Sequence, residues 1–225
     1  MTEKSQPTLQ TTSLQSLGAV RLRRASDVDV IRALMTRAYP EPHGPEAVWS
    51  EATLLAHLGV FPEGQLVAVT PDGSIVGSAS SLRIASEIAL VPHTWSEITG
   101  RGQLTTHDPA GDALYGVNIV VDPAWHGKGY ARLLYDARIR LARQLGCKRI
   151  VAGARIPGFH KVADRMTLED YVKAVTRGEI FDATLSKQLK IGFQVMGVLQ
   201  DYAPDPETLG HAALIVLEVE PDHAL

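Results

Sequence analysis

A glycine-containing segment in the middle of the chain has the residue types that suit an anion. The sequence VDPAWHGKGYARLL, residues 121–134, ends an apolar run, turns at Gly127 and Gly129, and continues into a helical pattern. The first amides of a helix lack intrahelical acceptors, and the helix dipole adds partial positive charge there. Glycine lets a bulky anion approach the backbone and permits positive φ. The segment therefore predicts a phosphate-binding turn, with a plain strand-to-helix connection as the alternative.

Two common phosphate motifs do not fit this segment. A nucleotide P-loop requires G-x-x-x-x-G-K-[ST], but Lys128 precedes the second glycine and no Ser or Thr follows it. A dinucleotide fingerprint requires G-x-G-x-x-G, and Arg132 occupies the position of the third glycine. Both nucleotide interpretations are therefore excluded.

The segment resembles the coenzyme A site of the GNAT acyltransferase superfamily. The family pattern is approximately V-x-P, a two-residue spacer and then [RQ]-x-x-G-x-[GA]. Residues 121–123 match its first part and residues 126–131 match its second, with His126 in the place of Arg or Gln. The order of predicted elements also fits, and residues 190–193, KIGF, are similar to the end of the family's last helix. The resemblance covers residues 19–220 approximately.

The resemblance implies which residues bind the cofactor. Backbone amides from Gly127 to Ala131 would hold the pyrophosphate of acetyl-CoA. Free backbone groups at Ile119 and Val121 would hold pantetheine and polarise the thioester carbonyl, which stabilises an oxyanion by about a few kcal/mol. The expected cofactor-binding set is Ile119, Val121, His126, Gly127, Lys128, Gly129, Tyr130 and Ala131.

The catalytic side chains are harder to assign. Many family members use a tyrosine as the acid, four residues before the glycine of the GF pair, and Gln188 stands there. Glutamine cannot donate that proton. Our catalytic candidates are Ile119 through its amide, Asn118 as a polar residue in an apolar strand, and Tyr171 in a later helix. A satisfied core amide is the alternative for Asn118, and packing is the alternative for Tyr171.

These residues predict an enzyme that transfers an acetyl or other short acyl group from coenzyme A to an amine by direct attack on the thioester. The acceptor would be a small amine or a peptide amine. The glutamine at position 188 leaves open a non-catalytic module that binds acyl-CoA, and transfer to an oxygen nucleophile also stays open. Dimerisation is common in the family and is carried over as an expectation.

Residues 157–180 lengthen the connection before the last helix beyond the usual family length. We expect this insertion to lie beside the acyl end of the cofactor and to build part of the substrate pocket. The residues that lead into it, ARIPGFHK, resemble those of acetyltransferase domains that are fused ahead of a carbon–nitrogen hydrolase in some bacterial proteins. A hydrolase domain is not expected in these 225 residues.

Composition excludes several other classes of protein. The net charge of −3 argues against a nucleic-acid surface, and no apolar run has the ~20 residues that a membrane span needs. One cysteine, Cys147, excludes an internal disulfide and suits a reducing, cytoplasmic compartment. The eight histidines lack the spacing of a metal site, so no metal is expected.

The remaining pattern predicts a mixed α/β fold with a sheet of about seven strands and helices on both faces. Residues 1–16 are rich in Ser, Thr and Gln and predict a disordered tail, and residues 17–225 form one domain. Asp72-Gly73 between two apolar runs predicts a hairpin. Thr167 predicts the start of a helix, and the apolar run 114–121 predicts a central strand.

Overall fold

A seven-stranded mixed sheet forms the centre of the computed structural model, which describes residues 18–40, 43 and 47–220. The strands lie in the order β1-β2-β3-β4-β5-β7-β6, and only β4 and β5 are parallel neighbours among the described strands. They are β1 (Ala19–Leu22), β2 (Gln65–Val69), β3 (Ile75–Ile84), β4 (Ala113–Val121), β5 (Arg149–Arg155), β6 (Gln194–Leu199) and β7 (Ala212–Glu218). The predicted sheet is confirmed, whereas the predicted tail at 1–16 lies outside the described residues.

Helices cover both faces of this sheet, as predicted. They are α1 (Val28–Ala38), α2 (Glu51–Val60), α3 (Ser86–Ala89), α4 (Trp95–Thr99), α5 (Tyr130–Gln144), α6 (Leu168–Thr176) and α7 (Leu185–Ile191). Side chains alternate along β4, so Val120 packs with α1 while Val121 packs with α5. Among the described residues, no helix has the length and apolar character to cross a membrane.

Local sequence explains several element boundaries. Asp72 and Gly73 occupy the turn between the antiparallel strands β2 and β3, and Gly73 has the positive φ of 88° that such a turn favours. Thr167 accepts a hydrogen bond from the amide of Asp170 and so caps α6. Gly129 takes a left-handed conformation directly before α5, which redirects the chain from the turn into the helix.

The parallel strands β4 and β5 separate halfway along their length. They pair through only three register positions, of which Tyr115 and Val151 form the last. Beyond these residues β4 continues to Val121 and β5 to Arg155 without pairing to each other. Their separation opens the sheet at its centre and leaves backbone groups of both strands without a neighbouring strand.

A β-bulge lies on the other side of β4 at the same level. Ser80 pairs with Asn118, but the next residue of β3, Ser81, pairs with Gly116, so Val117 has no partner in the register. Such a bulge bends the strand and increases its twist. The bend therefore coincides with the level at which β4 leaves β5.

One glycine at this opening tests the packing of the fold. A Cβ atom added to Gly153 on β5 would lie 2.3 Å from Cζ of Tyr202, whereas one added to Gly197 on β6 would have no atom within 4 Å. We expect Gly153→Ala to lower the free energy of unfolding by about 1–3 kcal/mol through overpacking. Gly197→Ala is the matched control and is expected to change it by less than about 0.5 kcal/mol. Urea unfolding of both variants measures the difference, and equal stabilities would contradict the packing described.

Candidate functional site

A cavity of about 440 Å³ occupies the opening between β4 and β5. Its walls come from both faces of the sheet. On one face it is lined by Tyr135 and Arg138 of α5, Gln188 of α7 and Thr184, which directly precedes α7. Tyr39, Trp49, Trp95, Tyr202 and Asp205 are among the residues that line it on the other face. The strands themselves contribute Gly116 to Ile119 and Ala152, Gly153 and Arg155. The cavity thus lies across the sheet, with walls from both of its faces.

Two backbone amides of β4 point toward this opening. The amide of Asp122 donates to the carbonyl of Val76 on β3, and hydrogen-bonded positions alternate along an antiparallel pair. Val120 therefore faces β3, while the amides of Ile119 and Val121 face the side from which β5 has withdrawn. These are the two positions that the sequence analysis assigned to the thioester and pantetheine.

A buried arginine holds the bulge at the base of the cavity. Arg138 is 2% exposed, and its guanidinium donates to the hydroxyl of Ser81 at 3.0 Å and to the carbonyls of Ser80 and Asn118 at 3.1 and 2.7 Å. It forms no salt bridge with any described carboxylate. Its Nη1 lies 3.0 Å from the position of a Cβ on Gly116, which lines the cavity. Burial lowers the pKa of Arg138, but a guanidinium stays protonated in a protein.

The turn before α5 exposes a row of amides. Gly127 and Gly129 have φ values of 76° and 92°, so the turn itself needs glycine at both positions. The amides of residues 127–129 donate to no described backbone acceptor, and Tyr130 and Ala131 begin the helix. The first amides of a helix likewise lack intrahelical acceptors. Together these groups form a concentrated set of donors suited to an anion.

The side chains of the same turn are engaged elsewhere. The Nε2 atom of His126 lies 2.9 Å from the carbonyl oxygen of Val121, so this nitrogen carries the proton and donates. Nζ of Lys128 lies 4.2 Å from the centre of the Trp125 ring, a cation–π contact. Backbone groups, rather than these two side chains, are therefore the free donors of the turn.

Gln188, at the position where many members of the resembled family have a tyrosine, forms a hydrogen-bonded pair with Tyr135. Gln188 donates from Nε2 to the hydroxyl oxygen of Tyr135 at 2.8 Å, and both side chains line the cavity. Because the tyrosine oxygen accepts this bond, its own proton is free for another acceptor. Burial raises the pKa of Tyr135, which keeps the hydroxyl protonated at neutral pH.

Charged residues meet at the wall of the cavity on the side of the β6–β7 loop. The guanidinium of Arg155 donates to Asp205 at 2.5 Å and to Glu207 at 2.8 Å, and it lies over the Tyr39 ring. His43, Asp205 and Glu207 have ligand atoms within 4.8 Å of one another, a spacing that a metal ion could use. Arg155 already supplies positive charge to both carboxylates, so a protein side chain compensates their negative charge.

Asn118 of β4 and Asp122, which directly follows this strand, have defined partners. Asn118 lines the cavity, and its Nδ2 lies 3.5 Å from the hydroxyl of Tyr39. Asp122 accepts hydrogen bonds from Arg37 at 2.8 Å and from the amide of Ala124 at 3.0 Å. Asp122 therefore organises the turn, while Asn118 remains available to a molecule in the cavity.

The expectation for Tyr171 does not agree with its position. Tyr171 is 1% exposed, packs beside Phe159, and donates its hydroxyl proton to Asp182 at 2.8 Å. It does not line the cavity. Burial and the neighbouring carboxylate Asp182 raise the pKa of Tyr171. Tyr171 therefore packs in the core with its hydroxyl bound to Asp182, and its position does not support a catalytic role.

The insertion at 157–180 is also placed differently from the expectation. All of these residues are described, and none of them lines the cavity. Asp182 accepts from the amides of Gly158, Thr184 and Leu185, which fastens the insertion to the start of α7. His160 contacts the β6–β7 loop, with Nδ1 2.9 Å from the carbonyl of Glu207. The insertion thus supports a loop of the cavity wall from behind.

Several residues of the cavity were not predicted from the sequence. Tyr39, Trp95, Tyr202, Arg155 and Asp205 come from segments that are distant in sequence, and no motif connects them. The sequence does indicate that Arg138 is unusual, because it falls on the apolar face of α5, where a charged side chain is costly to bury.

Comparison with known proteins assigns the family. The profile of the acetyltransferase (GNAT) family matches residues 28–163. The probable hydrolase YhcX of Bacillus subtilis strain 168 is 40% identical over 197 residues, which are 88% of this chain and 37% of that protein. The chain therefore spans little more than a third of that relative.

Two further similarities extend over most of both chains compared. The uncharacterized N-acetyltransferase YkwB of Bacillus subtilis strain 168 is 32% identical over 88% of both chains. A solved structure, the GNAT-like decarboxylase GphF in complex with isobutyryl-CoA, is 27% identical with a TM-score of 0.75, covering 89% of this chain and 99% of that one. The profile match and YkwB agree with the family resemblance of residues 121–134, and the chain belongs to the GNAT acetyltransferase family.

Proposed function

We propose that the protein transfers a short acyl group, acetyl in the first instance, from coenzyme A to an amine. The observation that carries the proposal is the cavity that crosses the sheet where β4 leaves β5. It lets a thioester and an acceptor reach the same strand from opposite faces. Family membership and the isobutyryl-CoA complex of GphF support an acyl-CoA as the donor.

Coenzyme A would bind on the face of α5 and α7. The amides of Gly127 to Ala131 would hold the pyrophosphate, and those of Ile119 and Val121 would face pantetheine and the thioester. His126 would act by holding the Val121 carbonyl, and Tyr130 by its buried position beneath the turn. Lys128, over Trp125, would add positive charge near the phosphates.

The reaction would use the groups at the centre of the opening. The amine attacks the thioester carbon, and the developing oxyanion accepts a hydrogen bond from the amide of Ile119. The C–N bond forms as the C–S bond breaks, and the amine nitrogen releases one proton to a base on the acceptor side. Tyr135, oriented by Gln188, would give its proton to the leaving thiolate and regain one from solvent. Asn118 would contact the acceptor from its place on the cavity wall.

The turn can be tested with a matched pair of aspartate variants. Gly127 and Gly178 have φ values of 76° and 77°, and a Cβ added to either would have no atom within 4 Å. Both variants therefore carry the same backbone strain. We expect Gly127→Asp to weaken acetyl-CoA binding at least about tenfold by charge repulsion and Gly178→Asp to leave it unchanged. Isothermal calorimetry measures both, and equal affinities would contradict the assignment of the turn.

Tyr135 can be tested against the buried Tyr171. We expect Tyr135→Phe to lower kcat by about 10²-fold, since general acid catalysis contributes that much or more. Tyr171→Phe should keep kcat within twofold while lowering the free energy of unfolding by about 1–3 kcal/mol, because Asp182 loses a buried donor. The assay measures thiol release from acetyl-CoA with spermidine, alaninamide or 2-phenylethylamine. Equal kcat values in the two variants would refute the role of Tyr135.

Arg138 favours a second candidate function, the decarboxylation of an acyl-CoA that bears a carboxylate. Its buried guanidinium contacts no described carboxylate and has Nη1 beside the cavity. A malonyl-type thioester would supply the missing anion. Loss of CO2 would leave the electron pair in a thioester enolate, whose oxygen the amide of Ile119 would stabilise before a proton adds to carbon. The similarity to the GNAT-like decarboxylase GphF supports this alternative.

Malonyl-CoA separates the two functions. If the second candidate is correct, the wild-type protein binds malonyl-CoA more tightly than acetyl-CoA and releases CO2, and Arg138→Gln removes the preference. Arg140→Gln, exposed on the same helix, is the control and should retain it. Calorimetry with both thioesters and a coupled CO2 assay give the readouts. Equal affinities without CO2 release would exclude decarboxylation and leave acyl transfer.

A further inference from the structure

A chain of hydrogen bonds connects the cavity with the edge of the protein on the acceptor side. The hydroxyl groups of Tyr202 and Tyr115 lie 2.9 Å apart, and the Tyr115 hydroxyl lies 2.8 Å from Nε2 of His93. The other ring nitrogen of His93, Nδ1, lies 2.7 Å from the carbonyl of Val91. Tyr202 lines the cavity, Tyr115 is fully buried, and His93 is half-buried.

The carbonyl of Val91 fixes the direction of this chain. A carbonyl can only accept, so Nδ1 of His93 carries the proton and, in the neutral imidazole, Nε2 must accept. Tyr115 therefore donates to His93, and its oxygen accepts from Tyr202. Every hydroxyl proton points away from the cavity. The backbone of Gly153 also contacts the Tyr202 hydroxyl, and the second lone pair of that oxygen can accept a proton from a molecule inside the cavity.

The cavity end of the chain lies at the level where the strands separate. The ring of Tyr202 rests on Gly153, close enough that a Cβ there would lie 2.3 Å from Cζ, the atom bearing the hydroxyl. Gly153 follows Val151, the last residue of β5 that pairs with β4, by two positions. Trp95 and Trp49 line the cavity on the same face, which is opposite to α5. An acceptor entering from this face would meet the Tyr202 hydroxyl.

The outer end of the chain can release a proton. His93 is half-buried at the start of the segment leading into α4, so water reaches it more readily than either tyrosine. Burial lowers the pKa of His93, while the Val91 carbonyl and the carboxylate of Glu97 act in the opposite direction. The groups facing it are Tyr115 from β4, Tyr202 from the β6–β7 loop, which contacts its ring, and Glu97 from α4.

We propose that Tyr202, Tyr115 and His93 form the base that removes the proton from the attacking amine, an inference that rests on the proposed acyl transfer. As the amine nitrogen bonds to the thioester carbon, its proton passes to the oxygen of Tyr202. The Tyr202 proton moves to Tyr115, and the Tyr115 proton moves to Nε2 of His93. The resulting imidazolium then loses one proton to water. Both tyrosines end neutral, and the proton on the thiolate comes separately from Tyr135.

This relay predicts a specific dependence on pH. His93 accepts a proton only when it is neutral, so kcat/KM expressed per unprotonated amine should rise with pH through the pKa of His93 and then level off. The same pKa should be obtained from the ring resonances of His93 in an NMR titration of the free protein. At neutral pH those resonances should show the proton on Nδ1.

The test compares three variants in the thiol-release assay with the most reactive amine among spermidine, alaninamide and 2-phenylethylamine. We expect His93→Gln, Tyr115→Phe and Tyr202→Phe each to lower kcat/KM by about 10²-fold and to remove the rise with pH. Acetyl-CoA affinity should stay within twofold, because the chain lies on the acceptor side. The control is His107→Gln, since His107 is also half-buried with a lowered pKa but stacks on Phe61 outside the cavity.

The outcomes separate the relay from the proposed function. A wild-type protein that binds acetyl-CoA but releases no thiol with any amine would overturn acyl transfer and the relay with it. A wild-type protein that is active, with His93→Gln retaining its rate and pH profile, would overturn the relay alone. A proton on Nε2 of His93 at neutral pH would also overturn it, because the chain would then point in the wrong direction.

Discussion

The site depends on how the bend in β4 is stabilised. A strand that leaves its parallel neighbour at the centre of a sheet loses ladder hydrogen bonds, and the bulge at Val117 disturbs the ladder on its other side as well. Arg138 supplies charged donors to two carbonyls and one hydroxyl at this level. Burying a guanidinium that is hydrogen-bonded but has no described carboxylate partner is expensive, so the bent strand is maintained at a cost in stability. The opening in the sheet, the free amides and the cavity all depend on this bend in β4.

Much of the fold follows from short-range patterns. The Asp72-Gly73 turn, the Thr167 cap and the apolar run of β4 each report on a few neighbouring residues, and the structure agrees with them. The separation of β4 from β5 has no such signal. An apolar strand looks the same whether its edge is paired or open, because side-chain alternation does not record the direction of the backbone hydrogen bonds.

The same limit explains which residues of the candidate site could be predicted from the sequence and which could not. The family resemblance implied backbone roles for Ile119 and Val121, which stay a prediction, and the amides of both residues face the opening. Side chains from distant segments could not be assigned, since Arg155 and Asp205 meet across fifty residues of sequence. The length of the insertion suggested a pocket wall, but length does not say which surface a segment covers. The contacts of Asp182 with Tyr171 and Gly158 draw it into the core instead.

The contact between His126 and Val121 has a consequence for ligand recognition. It joins the turn to the end of the strand through protein atoms alone, and the two glycines already hold the backbone conformation that exposes the amides. A phosphate-bearing ligand would then find its donors in place, so association would forfeit little chain entropy. Little of the binding free energy is then needed to order the turn. More of it can act at the other end of the ligand, where the bond to be broken lies.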